Sequence, residues 1–288
     1  MGNAVMSLRL PAPAKLNLFL HVTGQRDDGY HLLESVFVAI TLADMVTLTR
    51  RDDGVIRLLD APAGLTEANE LSCRAALALQ QATGCRLGVD IRIGKRIPQG
   101  AGLGGGSSDA ATTLLGLNRL WEVQRSRAEL QTIGAALGAD VPFFVFGEPA
   151  WAYGVGERLL SVSLPVSDYV VAFPGAGVAT ASVFTDPGLT RDTPANPATV
   201  FGLDHGHNDL QPVAEQLEPK IAALRKALAS AGATPRMTGS GACVFARTSS
   251  STGARALAAT LAGAGWQSWA VRSMARHPLF GFANGATI

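Results

Sequence analysis

Between residues 8 and 48 apolar side chains alternate with polar or small ones, as at Leu16, Leu18, Leu20 and Val22 and again from Val36 onward. A period of two sends successive side chains to opposite faces of an extended chain, so this stretch predicts strands. Residues 50–66 are polar and contain glycine, which predicts a hairpin or surface loop. Residues 71–82 are rich in Ala and Leu and predict a helix that starts near Asn69. Val89, Ile91 and Ile93 then share one face of a strand whose other face carries Asp90 and Arg92, a pattern suited to an antiparallel or mixed sheet.

Helices are predicted over 107–121 and 127–137, the second closed by Gly138. Further on, 169–173 reads as a strand, and Leu217, Ile221, Leu224 and Leu228 recur at helical spacing. A strand over 243–247, a helix over 254–264 and a strand over 268–273 complete the pattern. Mixed elements of this kind predict an α+β protein. The change of pattern near residue 160 predicts two domains, 1–160 and 161–288.

Composition narrows the function classes. The chain has 288 residues, 47% of them hydrophobic and 16% charged, with a net charge of +1. Without a basic run it has no electrostatic footprint for nonspecific nucleic-acid or anionic-membrane binding, so the expected partner is a small molecule. Cys73, Cys85 and Cys243 lie far apart without CxxC spacing, and predict neither a disulfide framework nor a zinc site. No apolar run reaches the roughly 18 to 20 residues of a membrane span, and the first residues lack the apolar core of a signal peptide. A cytoplasmic protein is expected; its oligomeric state is left open.

The candidate chemistry centres on Pro98-Gln99-Gly100-Ala101-Gly102-Leu103-Gly104-Gly105-Gly106-Ser107-Ser108, which runs directly into an amphipathic helix. Glycines allow close backbone approach and positive φ, and a helix N-terminus offers N–H groups to an anion, so a phosphate is the natural occupant. Walker A is excluded, because no lysine stands in this stretch. Gly100, Gly102 and Gly105 satisfy GxGxxG, but Arg125 stands where a dinucleotide fold would carry an acidic residue, and the preceding strand is not apolar on both faces. No HRD or DFG segment supports a protein kinase.

Three ordered segments together resemble the GHMP kinase superfamily: Pro11-Ala-Pro-Ala-Lys-Leu-Asn-Leu, the glycine loop with the helix start after it, and Met237-Thr-Gly-Ser-Gly-Ala-Cys-Val-Phe. Arg26-Asp-Asp-Gly-Tyr-His-Leu-Leu-Glu-Ser, Gly138-Ala-Asp-Val-Pro-Phe-Phe and His207-Asn-Asp-Leu are similar to the branch that acts on cytidine-diphosphate-linked methylerythritol. The resemblance implies a ribosomal-S5-like ATP-binding domain, a ferredoxin-like second domain, and ATP-dependent phosphorylation of the substrate's 2-hydroxyl in the cleft between them.

By that resemblance Lys15 and Asp140 are catalytic, Lys15 stabilising the transferred group and Asp140 accepting the hydroxyl proton. Asp140 precedes Val141-Pro142, which predicts an extended exit from the preceding helix. Tyr30 stacks on cytosine, His31 hydrogen-bonds it, Phe184 forms the opposite wall and Asn17 lies near the substrate hydroxyls. Mg²⁺ is expected with ATP, without a dedicated protein carboxylate cluster. The segment Asn69-Glu-Leu-Ser-Cys-Arg-Ala-Ala carries one residue more than the family's adenine-pocket pattern, so either Asn69 or Glu70 stands at the adenine. Lys95 is either a pocket residue or a solvated strand end. The rival readings are a GHMP kinase for mevalonate, homoserine or a sugar, and a nucleotide-binding module without catalysis.

Overall fold

The structure is a computed structural model that describes residues 6–60, 66–195 and 205–283. The alternating N-terminal stretch forms one long antiparallel hairpin, β1 (Ser7–Gln25) on β2 (His31–Arg51). The other edge of β2 takes β4 (Gly88–Gly94) and β5 (Ala150–Tyr153) at its two ends, while β3 (Ile56–Leu59) and β6 (Arg158–Ser161) lie outermost. β3 falls inside the region expected to be a loop, of which residues 61–65 lie outside the described residues. It pairs parallel to β4, so the sheet is mixed.

A second, antiparallel sheet has the order β10 (Gln267–Arg272), β7 (Asp168–Phe173), β9 (Val244–Thr248), β8 (Arg236–Met237). The cores explain how the sheets combine. Leu48 of β2 packs with Leu79 of α1 (Leu71–Thr83), Leu114 of α2 (Gly105–Leu120), Leu130 of α3 (Arg127–Ala135) and Phe144 of α4 (Val141–Phe146), so helices cover one face of the first sheet. The hairpin's other face, through Leu16, Leu18, Val38 and Ile40, meets Tyr169, Val171 and Phe245 of the second sheet. That sheet's far face packs under α6 (Gln211–Leu217), α7 (Pro219–Ser230) and α8 (Ser251–Gly263). Helices, sheet, sheet and helices therefore stack in layers, the α+β class the pattern predicted.

The helical spacing from Leu217 to Leu228 is split between two helices. Pro219 opens α7, Glu218 caps it by accepting from the Lys220 N–H, and Leu217 is left exposed at the end of α6. After β10 the chain returns to the first half, where Leu279 and Ala283 join the α2 and α4 core. No helix among the described residues is long and apolar enough to cross a membrane.

Candidate active site

β1 carries three register shifts, and Lys15 and Asn17 sit between two of them, two residues apart on one face. The Lys15 Nζ donates to Asn17 Oδ1 at 2.5 Å, lies 3.5 Å from Asp140 Oδ2 and stands 5.0 Å from the centroid of the Phe37 ring. Its side chain is only 5% exposed, whereas that of Asp140 is 32% exposed. A buried ammonium is costly unless paired and hydrogen-bonded, and these two partners meet that need. Asn17 extends the network: its backbone N–H donates to Thr238 Oγ1 at 2.9 Å, and its Nδ2 donates to Ser35 Oγ at 2.8 Å.

Asp140 does not leave in extended conformation. Its backbone is helical, at φ −86° and ψ −14°, and the chain enters α4 immediately, with Pro142 in the first turn. Proline is tolerated there because first-turn N–H groups have no intrahelical acceptor in any case. The Asp140 carboxylate makes no capping bond and stays available to the cleft.

The glycine loop meets the late Thr238–Gly241 loop backbone to backbone. Gly102 has φ +73°, and a Cβ there would stand 2.2 Å from the Thr238 carbonyl oxygen and 2.9 Å from that of Gly241. Leu103 accepts from the Lys15 N–H at 2.9 Å, and Ala101 from the Cys243 N–H at 3.0 Å, so the loop is tied to β1 and to the second half together. Asn208 fastens the arrangement, its Nδ2 donating to the carbonyls of Met237 at 2.9 Å and Gly239 at 2.8 Å. The His207-Asn-Asp-Leu segment thus latches the late loop. α2 begins at Gly105 after a left-handed Gly104, two residues earlier than predicted, with no side-chain cap and no acidic residue in its first turn. Gly105, Gly106 and Ser107 of its first turn, where N–H groups lack intrahelical acceptors, line the cleft, an arrangement that could serve as an anion cradle.

Loop residues Pro98 to Ser107 all line this cleft, and Ser108 does not; its Oγ is buried without a partner. Lys95 lines the same cleft and is ion-paired, with its side chain 24% exposed. Its Nζ lies 2.5 Å from Asp44 Oδ2 and 2.7 Å from Asp109 Oδ2. Burial pushes the Asp109 carboxyl up to about 7; the Lys95 charge opposes this, and the nearby Asp44 and Glu70 charges add to it. Asp44 is held by the N–H groups of Arg96 and Ile97, at 2.5 and 2.8 Å. Neither aspartate was found from the sequence, although each is an isolated acid, Asp44 in an apolar strand and Asp109 in an Ala-rich helix. At the adjoining wall Glu70, one residue after the expected helix start near Asn69, caps α1 by accepting from the N–H groups of Ser72 and Cys73. Asn69 accepts from the Thr66 N–H. Both line the cleft.

At the far end stand Tyr30, His31 and Phe184. Tyr30 is 64% exposed, and the His31 and Phe184 rings pack with centroids 5.1 Å apart. Arg191, which no sequence signal marked, donates from Nε to His31 Nε2 at 3.0 Å across 160 residues of chain. Burial and the Arg191 charge both hold His31 below its ordinary range. One continuous cleft of about 1060 Å³ therefore runs from the aromatic end past Lys15 and Asp140 to the anion cradle. That is the upper end of small-molecule sites. It brings together every residue expected at the site except Ser108.

Comparison with known proteins agrees with this layout. Residues 70–148 match the family model "GHMP kinases N terminal domain" and residues 201–267 match "GHMP kinases C terminal". The 4-diphosphocytidyl-2-C-methyl-D-erythritol kinase of Azoarcus sp. (strain BH72) is 51% identical over 94% of this chain and 95% of its own. That of Thiobacillus denitrificans is also 51% identical, over 96% and 99%. A crystal structure of 4-(cytidine 5'-diphospho)-2C-methyl-D-erythritol kinase superposes with a TM-score of 0.80 at 36% identity, covering 92% of this chain and 99% of that one. With two mutually braced glycine loops, a buried lysine facing an aspartate, and relatives alike over nearly their whole length, the chain belongs to the 4-diphosphocytidyl-2-C-methyl-D-erythritol kinase family of GHMP kinases.

Proposed function

We propose that this small-molecule kinase transfers the γ-phosphoryl group of ATP to the 2-hydroxyl of 4-diphosphocytidyl-2-C-methyl-D-erythritol, a step of non-mevalonate isoprenoid precursor synthesis. The observation that carries the reading is the Lys15–Asp140 pair, 3.5 Å apart, in one cleft with the glycine loop and the aromatic residues Tyr30, His31 and Phe184. Asp140 accepts the proton of the substrate hydroxyl, whose oxygen attacks the γ-phosphorus as ADP leaves. Lys15, fixed by Asn17, places its positive charge beside Asp140 and offsets the charge on the transferred group. Asn17 stands where the substrate's hydroxyls would lie. Residues 1–160 supply the nucleotide side, and 161–288 supply the late loop and the Phe184 wall.

The first-turn N–H groups of α2 hold the phosphates. Among the described residues no group of His, Cys, Asp or Glu is arranged to hold a metal. A Mg²⁺ accompanying ATP would take most of its ligands from the phosphates, with Ser107 of the glycine loop a hydroxyl that lines the cleft; when bound, the ion would neutralise phosphate charge. ATP and a nucleotide-linked substrate are both membrane-impermeant, which supports a cytoplasmic site of action on small molecules, without nucleic acid or membrane as partner.

The test is ATP consumption by the purified chain supplied in turn with the cytidine-diphosphate-linked alcohol, mevalonate and homoserine. Turnover is expected with the first alone. Equal turnover with the other two would overturn the reading.

A further inference from the structure

Arg191 has one guanidinium and several fixed obligations. Its terminal nitrogens donate to the backbone carbonyls of Phe184 at 3.1 Å, Asp186 at 2.8 Å and Leu189 at 3.0 Å, which anchors it to the end of α5 (Thr180–Thr185) and the turn beyond. Its Nε–H, which none of these carbonyls engages, donates to His31 Nε2 at 3.0 Å. Arginine has donors only, so the His31 nitrogen it meets must present a lone pair. The imidazole is then neutral with its proton on Nδ1, and among the described residues Nδ1 has no protein partner. The same guanidinium holds the backbone of Phe184, the ring that packs on His31.

We infer that Arg191 is a positioning residue that fixes His31 as the Nδ1–H tautomer, so that the ring offers the base a donor and the site accepts cytosine over uracil. Cytosine N3 carries a lone pair, whereas uracil N3 carries a proton. An Nδ1–H donor matches the first and meets the second proton to proton. The depressed basicity of His31, caused by burial and by the Arg191 charge, agrees with a ring that stays neutral. The selectivity role rests on the proposed reading of this end as a cytosine site; the tautomer does not.

The test joins a spectrum with kinetics. In ¹⁵N-histidine-labelled protein without ligand, with His31 assigned by loss of its signals in His31→Gln, Nδ1 should resonate as a protonated and Nε2 as an unprotonated nitrogen. Arg191→Met should release the ring toward the Nε2–H form. It should also lower the ratio of kcat/KM for cytidine-linked over uridine-linked substrate by roughly tenfold or more, the loss lying in KM, because a mispaired edge leaves polar groups unmatched. Arg191→Lys, which keeps a donor, should retain part of both. A spectrum with the proton on Nε2 in the wild type overturns the inference. So does an Arg191→Met enzyme whose KM rises equally for both substrates with the tautomer kept, since that marks mere loosening of the 184–191 backbone. Wild-type turnover indifferent to the base, with Nδ1 still protonated, overturns the cytosine reading and the selectivity role with it, and is told apart by the ligand-free spectrum.

Discussion

The two ends of the cleft are built from different materials. At the phosphate end the contacts are backbone on backbone: Gly102 lies so close to the late loop that a Cβ would stand 2.2 Å from a carbonyl oxygen, and Lys15 is buried within a network of Asn17, Ser35 and Thr238. At the base end the contacts are side chains with room around them. Tyr30 projects into solvent, and Gly29 beside it, at φ +86°, has nothing within 4 Å of where a Cβ would lie. A phosphate is held by many N–H groups whose direction depends on backbone position, so small displacements cost all of them together. A base is held by one ring face and one edge, and each can be lost separately.

The largest effect should come from Asp140→Asn, which keeps the shape of the glycine-loop end and removes the proposed proton acceptor. The maximal rate should drop by roughly 10²-fold to 10⁴-fold, and the melting temperature should fall only modestly, because the carboxylate caps nothing and its neutralisation leaves the buried Lys15 ammonium its bond to Asn17. Steady-state turnover and thermal melting on the same sample check this; near-normal turnover would leave Lys15 and positioning to run the reaction.

A matched pair of glycine substitutions sharpens the contrast between the ends. Gly102→Ala must push the two loops apart and should cost about 2 kcal/mol or more of stability together with roughly tenfold or more of the rate. Gly29→Ala meets no atom, and only its positive φ is strained, for about 1 kcal/mol. Equal effects of the two on turnover would contradict the division.

Smaller still is Tyr30→Ala. An exposed ring contributes little to the fold, so melting should hardly move, while KM for the cytidine-linked substrate rises roughly tenfold with kcat kept, the usual worth of one base stacked on an aromatic side chain. The smallest effect is an expected absence. Because the His31 pKa is depressed by burial and by Arg191, the neutral ring persists as pH falls through 6.5, where an ordinary imidazole gains its proton. Calorimetric titration with cytidine, which carries no titrating phosphate, should show loss of affinity only below pH 6.5, and a sharp loss at 6.5 would mean that Arg191 does not hold the ring.

Much of this was present in the order of residues. Alternation set out β1 and β2, and the glycine loop announced an anion site ahead of a helix, because glycine runs and helix starts are local properties. The resemblance then put Lys15, Asp140, Tyr30, His31 and Phe184 in a single cleft, and they are together. Local rules failed where distant contacts overrode them. Proline after Val141 argued for an extended exit, yet Phe143 and Phe144 bury themselves in the first core and fold the segment into α4. One helical spacing from Leu217 to Leu228 became two helices once Glu218 could cap a new start.

The sequence by itself determined which residues were expected to do the chemistry, since its ordered motifs and their resemblance to a known family single out Lys15 in an apolar strand and Asp140 before a short apolar run. Only the tertiary structure decided what each one faces. Lys95 became the shared partner of Asp44 and Asp109, and Arg191 crossed 160 residues to reach His31. Such pairings are set by how two sheets pack and where a turn ends, and the free energy that selects them comes from burial summed over the whole core, which no window of sequence contains.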